Sequence, residues 1–128
     1  MRGVLVLMLA GCSSPRPSID GGVGDAGGCP ETGTVVVSGQ SAPASIAIDS
    51  THVYWADTTT VMSVPIGGGA PVTLASISGT NIGSIAIDGA HVYWTVEDLD
   101  VGTVMRAPLG GGVAETIATN QNAPLGVA

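Results

Sequence analysis

The chain has 128 residues, with ten Asp and Glu set against three Arg and no Lys, which leaves a formal net charge of -7 at neutral pH. That balance argues against nucleic-acid binding, because neutralising phosphates takes clustered Lys and Arg. With 20 Gly, 8 Pro and no Phe the composition disfavours a helical bundle, and with 45% hydrophobic and only 10% charged residues it disfavours a disordered chain.

The N-terminus reads as a targeting segment. Residues 1–11 carry one positive charge at Arg2, then an apolar run from Val4 to Ala10, then a small residue ahead of Cys12. This is the anatomy of a bacterial export signal. Its apolar run is far shorter than the roughly 20 residues that span a bilayer as a helix. Leu9, Ala10, Gly11 and Cys12 resemble the lipobox of bacterial lipoproteins. The resemblance implies lipidation of Cys12, and Ser13 in place of Asp after it implies sorting to the outer membrane. A cysteine suits the role because its thiolate takes a diacylglycerol in thioether linkage. At about 0.8 kcal/mol per buried methylene, two or three acyl chains anchor a protein almost permanently.

Residues 12–33 are rich in Ser, Pro, Gly and Asp and read as a flexible, disordered linker. Gly22, Gly24 and Gly27 fit the spacing of dinucleotide-binding loops. With no strand before them and no helix after them, they imply no nucleotide site. Cys29 has no partner left if Cys12 carries lipid, which leaves an intermolecular bond, a free thiol or a disulfide partner in sequence that is missing.

The next segment repeats itself. Ser45, Ile46, Ala47, Ile48 and Asp49, with His52, Val53, Tyr54 and Trp55, recur 39 residues later as Ser84, Ile85, Ala86, Ile87 and Asp88, with His91, Val92, Tyr93 and Trp94. Val61, Met62, Pro65 and Gly67 to Gly69 recur at a shift of 43 as Val104, Met105, Pro108 and Gly110 to Gly112. The four extra residues fall between Trp94 and Val104, where a loop is expected.

In the first unit, apolar runs at about 45–49, 52–56, 61–65 and 71–76 are separated by turn residues and are dominated by Ile, Val, Tyr, Trp and Thr. Such runs predict short antiparallel strands. Four strands in roughly 40 residues make one blade of a β-propeller. The predicted fold is therefore all-β. It is a partial propeller over residues 34–128, with blades at about 44–76 and 83–119. Residues 34–37 are expected to form the outermost strand of a preceding blade. Pro124 to Ala128, which matches Pro43 to Ala47, is expected to begin a third.

The segments Val53 to Trp55 and Val92 to Trp94, with Ala56 and Asp57, resemble the YWTD, NHL and related six-bladed propeller repeats of secreted proteins. The second unit departs from that pattern at Val96, where the acidic position is lost. Six such blades need about 250 residues at roughly 40 to 45 each. About two and a half are present, which points to a truncated reading frame or to assembly from several chains.

Few residues offer chemistry. Asp49 and Asp88 precede the only histidines, His52 and His91, and are expected to accept hydrogen bonds from turn amides and to orient the imidazoles. Equivalent positions in successive blades lie on a ring and do not converge on one site. Tyr54, Trp55, Tyr93 and Trp94 are expected in the core by their strict repetition. Glu97, Asp98 and Asp100 form an acidic loop special to the second unit. They are weak calcium candidates, because alternating carboxylates can contribute to the six to eight oxygen ligands that calcium takes, yet no full calcium-loop pattern accompanies them. No nucleophile with a general base can be assembled, and no cofactor motif is present.

The expected function is thus noncatalytic. It is an outer-membrane lipoprotein that presents a propeller module to a protein or glycan ligand, with the membrane as its other partner. The alternatives are a propeller enzyme similar in repeat style to streptogramin lyases, its metal held in blades not present here, or a remnant without independent function.

Overall fold

The computed structural model describes residues 2–7, 34–79, 81–98 and 101–128. Every element in them is a strand, and no helix among them is long and apolar enough to cross a membrane. The export and lipidation reading of Cys12, the whole of the linker at 12–33, Cys29 and Asp100 lie outside the described residues.

The repeated segments each fold into a four-stranded antiparallel meander. The first sheet runs β3 (Ser45–Ile48), β4 (His52–Ala56), β5 (Thr60–Pro65) and β6 (Val72–Ser76), in the order β3-β4-β5-β6. The second runs β7 (Asn81–Ile87), β8 (His91–Glu97), β9 (Gly102–Pro108) and β10 (Glu115–Gln121), with the same sequential neighbours. Their registers coincide. Ile46 pairs with Trp55 and Trp55 with Met62 in the first sheet, while Ile85 pairs with Trp94 and Trp94 with Met105 in the second. Corresponding residues of the two repeats therefore occupy corresponding sites.

The turns repeat as well. The amide of Asp49 donates to the His52 carbonyl and that of Asp88 to the His91 carbonyl, both at 3.1 Å. After the third strand of each sheet, Gly68 and Gly111 hold φ of 88° and 84°, and Gly69 and Gly112 hold φ of 147° and 154°. These are left-handed conformations that side-chain-bearing residues rarely adopt, which is why the glycine triplets recur.

The sheets stack face to face, and this stacking forms the core. Because paired residues in antiparallel strands share a face, Tyr54, Ala56, Val61 and Leu74 of the first sheet point to the second. They meet Ile82, Ile85, Val92, Trp94, Val96 and Ala107. The amide of Ile85 on β7 also donates to Ser45 Oγ on β3 at 3.1 Å, and the amide of Ile82 donates to the Thr58 carbonyl at 3.1 Å.

The opposite face of the first sheet carries Val53, Trp55 and Val64. It is covered in part by Val37 and Val36 of β2 (Thr34–Ser41). Among the described residues β2 pairs only with β1 (Arg2–Leu7), within the segment read from sequence as an export signal. A short run rich in Val and Leu pairs readily with an open strand edge, and β2 presents one. At the other terminus, residues 122–128 form no strand, unlike the sequence expectation. The Pro124 ring packs against Gly102 at the start of β9, and a proline brings no amide donor to a strand ladder.

Candidate functional site

A meander places alternate connections at opposite ends of its sheet, and this separates the candidate residues into two groups. At one end lie the turns that join β3 to β4 and β7 to β8, with Asp49, His52, Asp88 and His91. At the other end lie the β4–β5, β6–β7 and β8–β9 connections and the C-terminal tail.

The aspartate turns are built as hydrogen-bond hubs. Asp49 Oδ1 accepts from the amides of Thr51 at 2.6 Å and His52 at 2.7 Å, and Oδ2 accepts from the Tyr54 hydroxyl at 2.9 Å. Asp88 makes the same set with the amides of Ala90 at 2.9 Å and His91 at 2.7 Å and with the Tyr93 hydroxyl at 2.7 Å. The two backbone amides are the main cause holding the Asp49 carboxyl well below the usual carboxylate range. The tyrosine hydroxyl is the main cause at Asp88, whose pKa is lowered to about 2.

The imidazoles are oriented differently in the two turns. His52 Nδ1 lies 2.8 Å from the Thr51 hydroxyl, whereas His91, with Ala90 in place of that threonine, has its Nδ1 3.9 Å from Asp88 Oδ1. Among the described residues no group of three or more His, Cys, Asp or Glu is arranged to hold a metal ion.

Three of the four repeated aromatic residues lie in the core, and Tyr93 does not. Trp55 and Trp94 are fully buried and Tyr54 nearly so, while Tyr93 is half-buried. Trp55 Nε1 donates to Gln40 Oε1 at 3.1 Å. Trp94 Nε1 is buried without a hydrogen-bond partner among the described residues. None of these rings is among the residues that line the cleft at the opposite end.

The opposite end carries a cleft of about 440 Å³, formed where four separate chain segments meet. Thr58 and Thr59 come from the β4–β5 connection, Gly79 and Asn81 from the β6–β7 connection and the first residue of β7, Glu97 and Asp98 from the end of β8, and Ala123 and Leu125 from the tail. The cleft thus combines two carboxylates, two hydroxyls and an amide with apolar surface from Ala123 and Leu125. Sequence reasoning had singled out Glu97 and Asp98 only. The other residues carry no local signal, because a connection becomes a wall only when the sheets stack.

Two glycines shape this cleft. A Cβ at Gly83 would lie 2.6 Å from Glu97 Oε1 and 2.9 Å from Thr95 Oγ1, so the bare backbone lets Glu97 lie across β7. A Cβ at Gly102 would collide with the Pro124 ring and come within 2.9 Å of the Val96 carbonyl oxygen. The close approach at Gly102 seats the tail that closes one side of the cleft. Gly102→Ala is therefore expected to lift Ala123 to Leu125 off the body and to cost about 1–3 kcal/mol of stability, as overpacking typically does. Hydrogen exchange should quicken at residues 122–128 while the β3 to β6 amides keep their protection. An unchanged tail would mean that Pro124 is not held there.

No protein-family model matches the chain, and no curated protein matches it.

Proposed function

We propose that this chain is an outer-membrane-anchored lipoprotein that presents a noncatalytic β-propeller binding module, its two four-stranded sheets being successive blades. The order β3-β4-β5-β6 followed by β7-β8-β9-β10 supports that reading, as does the shared register of the two repeats. So does the close approach of the innermost strands β3 and β7 through Ser45 and Ile85. Blades fanned about an axis meet most closely along their innermost strands. The lipid anchor rests on the lipobox resemblance at Leu9 to Cys12.

The single observation that carries the binding role is the cleft between Thr58, Asn81 and Glu97 at one end of the sheets. Its mixture of carboxylates, hydroxyls and an amide suits a polyhydroxylated or otherwise polar ligand, such as a glycan or a protein loop.

Two experiments test the two halves of the reading. Metabolic labelling with a palmitate analogue should mark the protein, and Cys12→Ser should abolish the mark. An unlabelled wild-type chain removes the anchor. For the cleft, a glycan array probed with the full chain should show saturable binding that falls at least tenfold in Glu97→Gln. Binding that is indifferent to Glu97 places the ligand elsewhere.

A further inference from the structure

We propose that the outer face of the β7–β10 sheet is a receiving surface for a second copy of this chain, which docks head to tail through the Ile46 and Trp55 face of its β3–β6 sheet. The inference rests on the repeat and not on the lipid anchor.

The two faces concerned are the ones that already meet inside the chain. Ile85 and Trp94 of the second sheet pack on Tyr54, Val61 and Leu74 of the first. Ile46 and Trp55 share the register of Ile85 and Trp94. By the same shifts, Tyr93, Val104 and Ile117 stand where Tyr54, Val61 and Leu74 stand. Their surroundings differ. Leu74 is 5% exposed and Ile117 is 48% exposed, while Ile46 on the complementary face is 45% exposed. One interface of the repeat is made, and its two halves are left apart at the ends of the stack.

Polar groups mark the same correspondence. Ser45 Oγ accepts the amide of Ile85 across the internal interface, and Ser84 holds the equivalent position on the free face. Gln40 donates from Nε2 to the Ser38 carbonyl at 3.2 Å, which aims Oε1 at the Trp55 indole, 3.1 Å away. Gln121 donates in the same way to the Thr119 carbonyl at 2.9 Å. The backbone around these two glutamines is alike, with φ of 76° at Gly39 and 56° at Asn120, and of 46° at Ala42 and 47° at Ala123. Gln121 is therefore held as an acceptor for an indole N–H on a following sheet.

Within one chain β2 covers part of the Trp55 face, held by a two-stranded pairing with β1. Such a pair is marginal by itself, so in the docked state β2 gives way and Gln121 replaces Gln40 at Trp55. Arg106, at the place of the buried Ser63, is the departure from the repeat. Its guanidinium reaches outward to Glu115 Oε2 at 3.0 and 3.1 Å. Glu115 stands at the place of Val72, which is 54% exposed, so the ion pair stays at a wet rim.

A heterologous contact of this kind closes into a ring or runs on as a filament, and two-sheet copies joined so would continue the stack. The test is analytical ultracentrifugation of the full chain under reducing conditions, with Ile46→Asp and Ile117→Asp, both at exposed positions that leave the core intact. Head-to-tail docking expects wild type to associate with rising concentration and each variant alone to sediment as a monomer. An equimolar mixture of the two variants should form a one-to-one dimer, because Ile117 of one copy and Ile46 of the other remain. A wild type that stays monomeric overturns the proposal. So do variants that associate as wild type does, which would place the contact elsewhere, and so does an Ile46→Asp chain that still dimerises alone, which would make the contact symmetric.

Discussion

Trp94→Ala is expected to lower the unfolding free energy by about 3–5 kcal/mol, the usual cost of emptying a fully buried aromatic site. Trp94 has no exposed surface and sits between the two sheets, against the face that carries Tyr54 and Val61. Whole-domain stability is typically about 5–15 kcal/mol, so this one truncation removes a large part of what joins the sheets. Trp55→Ala empties an equally buried site on the other face of the first sheet, where β2 is the cover.

Phenylalanine separates the two tryptophans more finely. Trp55→Phe gives up the indole bond to Gln40, whereas Trp94→Phe gives up no hydrogen bond among the described residues. Trp55→Phe should therefore cost about 1 kcal/mol more than Trp94→Phe beyond the shared loss of ring volume. Urea unfolding followed by circular dichroism measures all four variants. A Trp94→Ala chain within about 1 kcal/mol of wild type would mean that the sheets do not share one cooperative core.

The comparison of sequence with structure turns on what a repeat encodes. The runs expected at 45–49, 52–56, 61–65 and 71–76 are the strands Ser45–Ile48, His52–Ala56, Thr60–Pro65 and Val72–Ser76. They were legible because turn chemistry is local: aspartate and glycine mark each reversal by themselves. The faces were not legible. A strand with a sheet on either side reads as a continuous apolar run, so Val53 to Ala56 shows no alternation. Which side Tyr54 takes is settled only by the register with Ser63.

Burial was legible only for part of the repeat. Tyr54 and Tyr93 are the same residue in the same register, yet one is buried and the other half-buried. The difference lies in the position of the sheet within the stack, which no local pattern records. The cleft was hidden for a related reason, since Thr58, Asn81, Glu97 and Leu125 belong to four segments that share no motif.

Lowering the pH should leave stability unchanged down to about pH 4 and erode it below that, with the aspartate turns as the cause. Asp49 and Asp88 both titrate below the ordinary carboxyl value of 3.8, because the fold gives their charged forms amide and hydroxyl donors that the unfolded chain lacks. A carboxyl with a depressed folded pKa binds its proton first in the unfolded state. Its contribution is therefore complete above the unfolded value and is lost as the pH falls through the folded one. For Asp88 that lower bound is about 2, and for Asp49 it lies lower still.

Asp49→Ala should be the costlier of the two truncations at neutral pH. It strands the hydroxyl of a tyrosine that is only 3% exposed, along with two turn amides, and a buried polar group left unpaired costs about 1–3 kcal/mol. Burial first, and then the neighbouring carboxylate, pushes the Tyr54 phenol up to about 12, so it remains a donor throughout this range. The Tyr93 hydroxyl, whose bond to Asp88 is exposed, can turn to water instead, so Asp88→Ala should cost less. The double variant Asp49→Asn with Asp88→Asn keeps an amide acceptor at each turn but has no carboxyl to protonate. Its stability below pH 4 should fall off less steeply than that of wild type. Equal acid sensitivity in the two proteins would assign the acid limb to other carboxylates and leave the aspartate turns a purely geometric role.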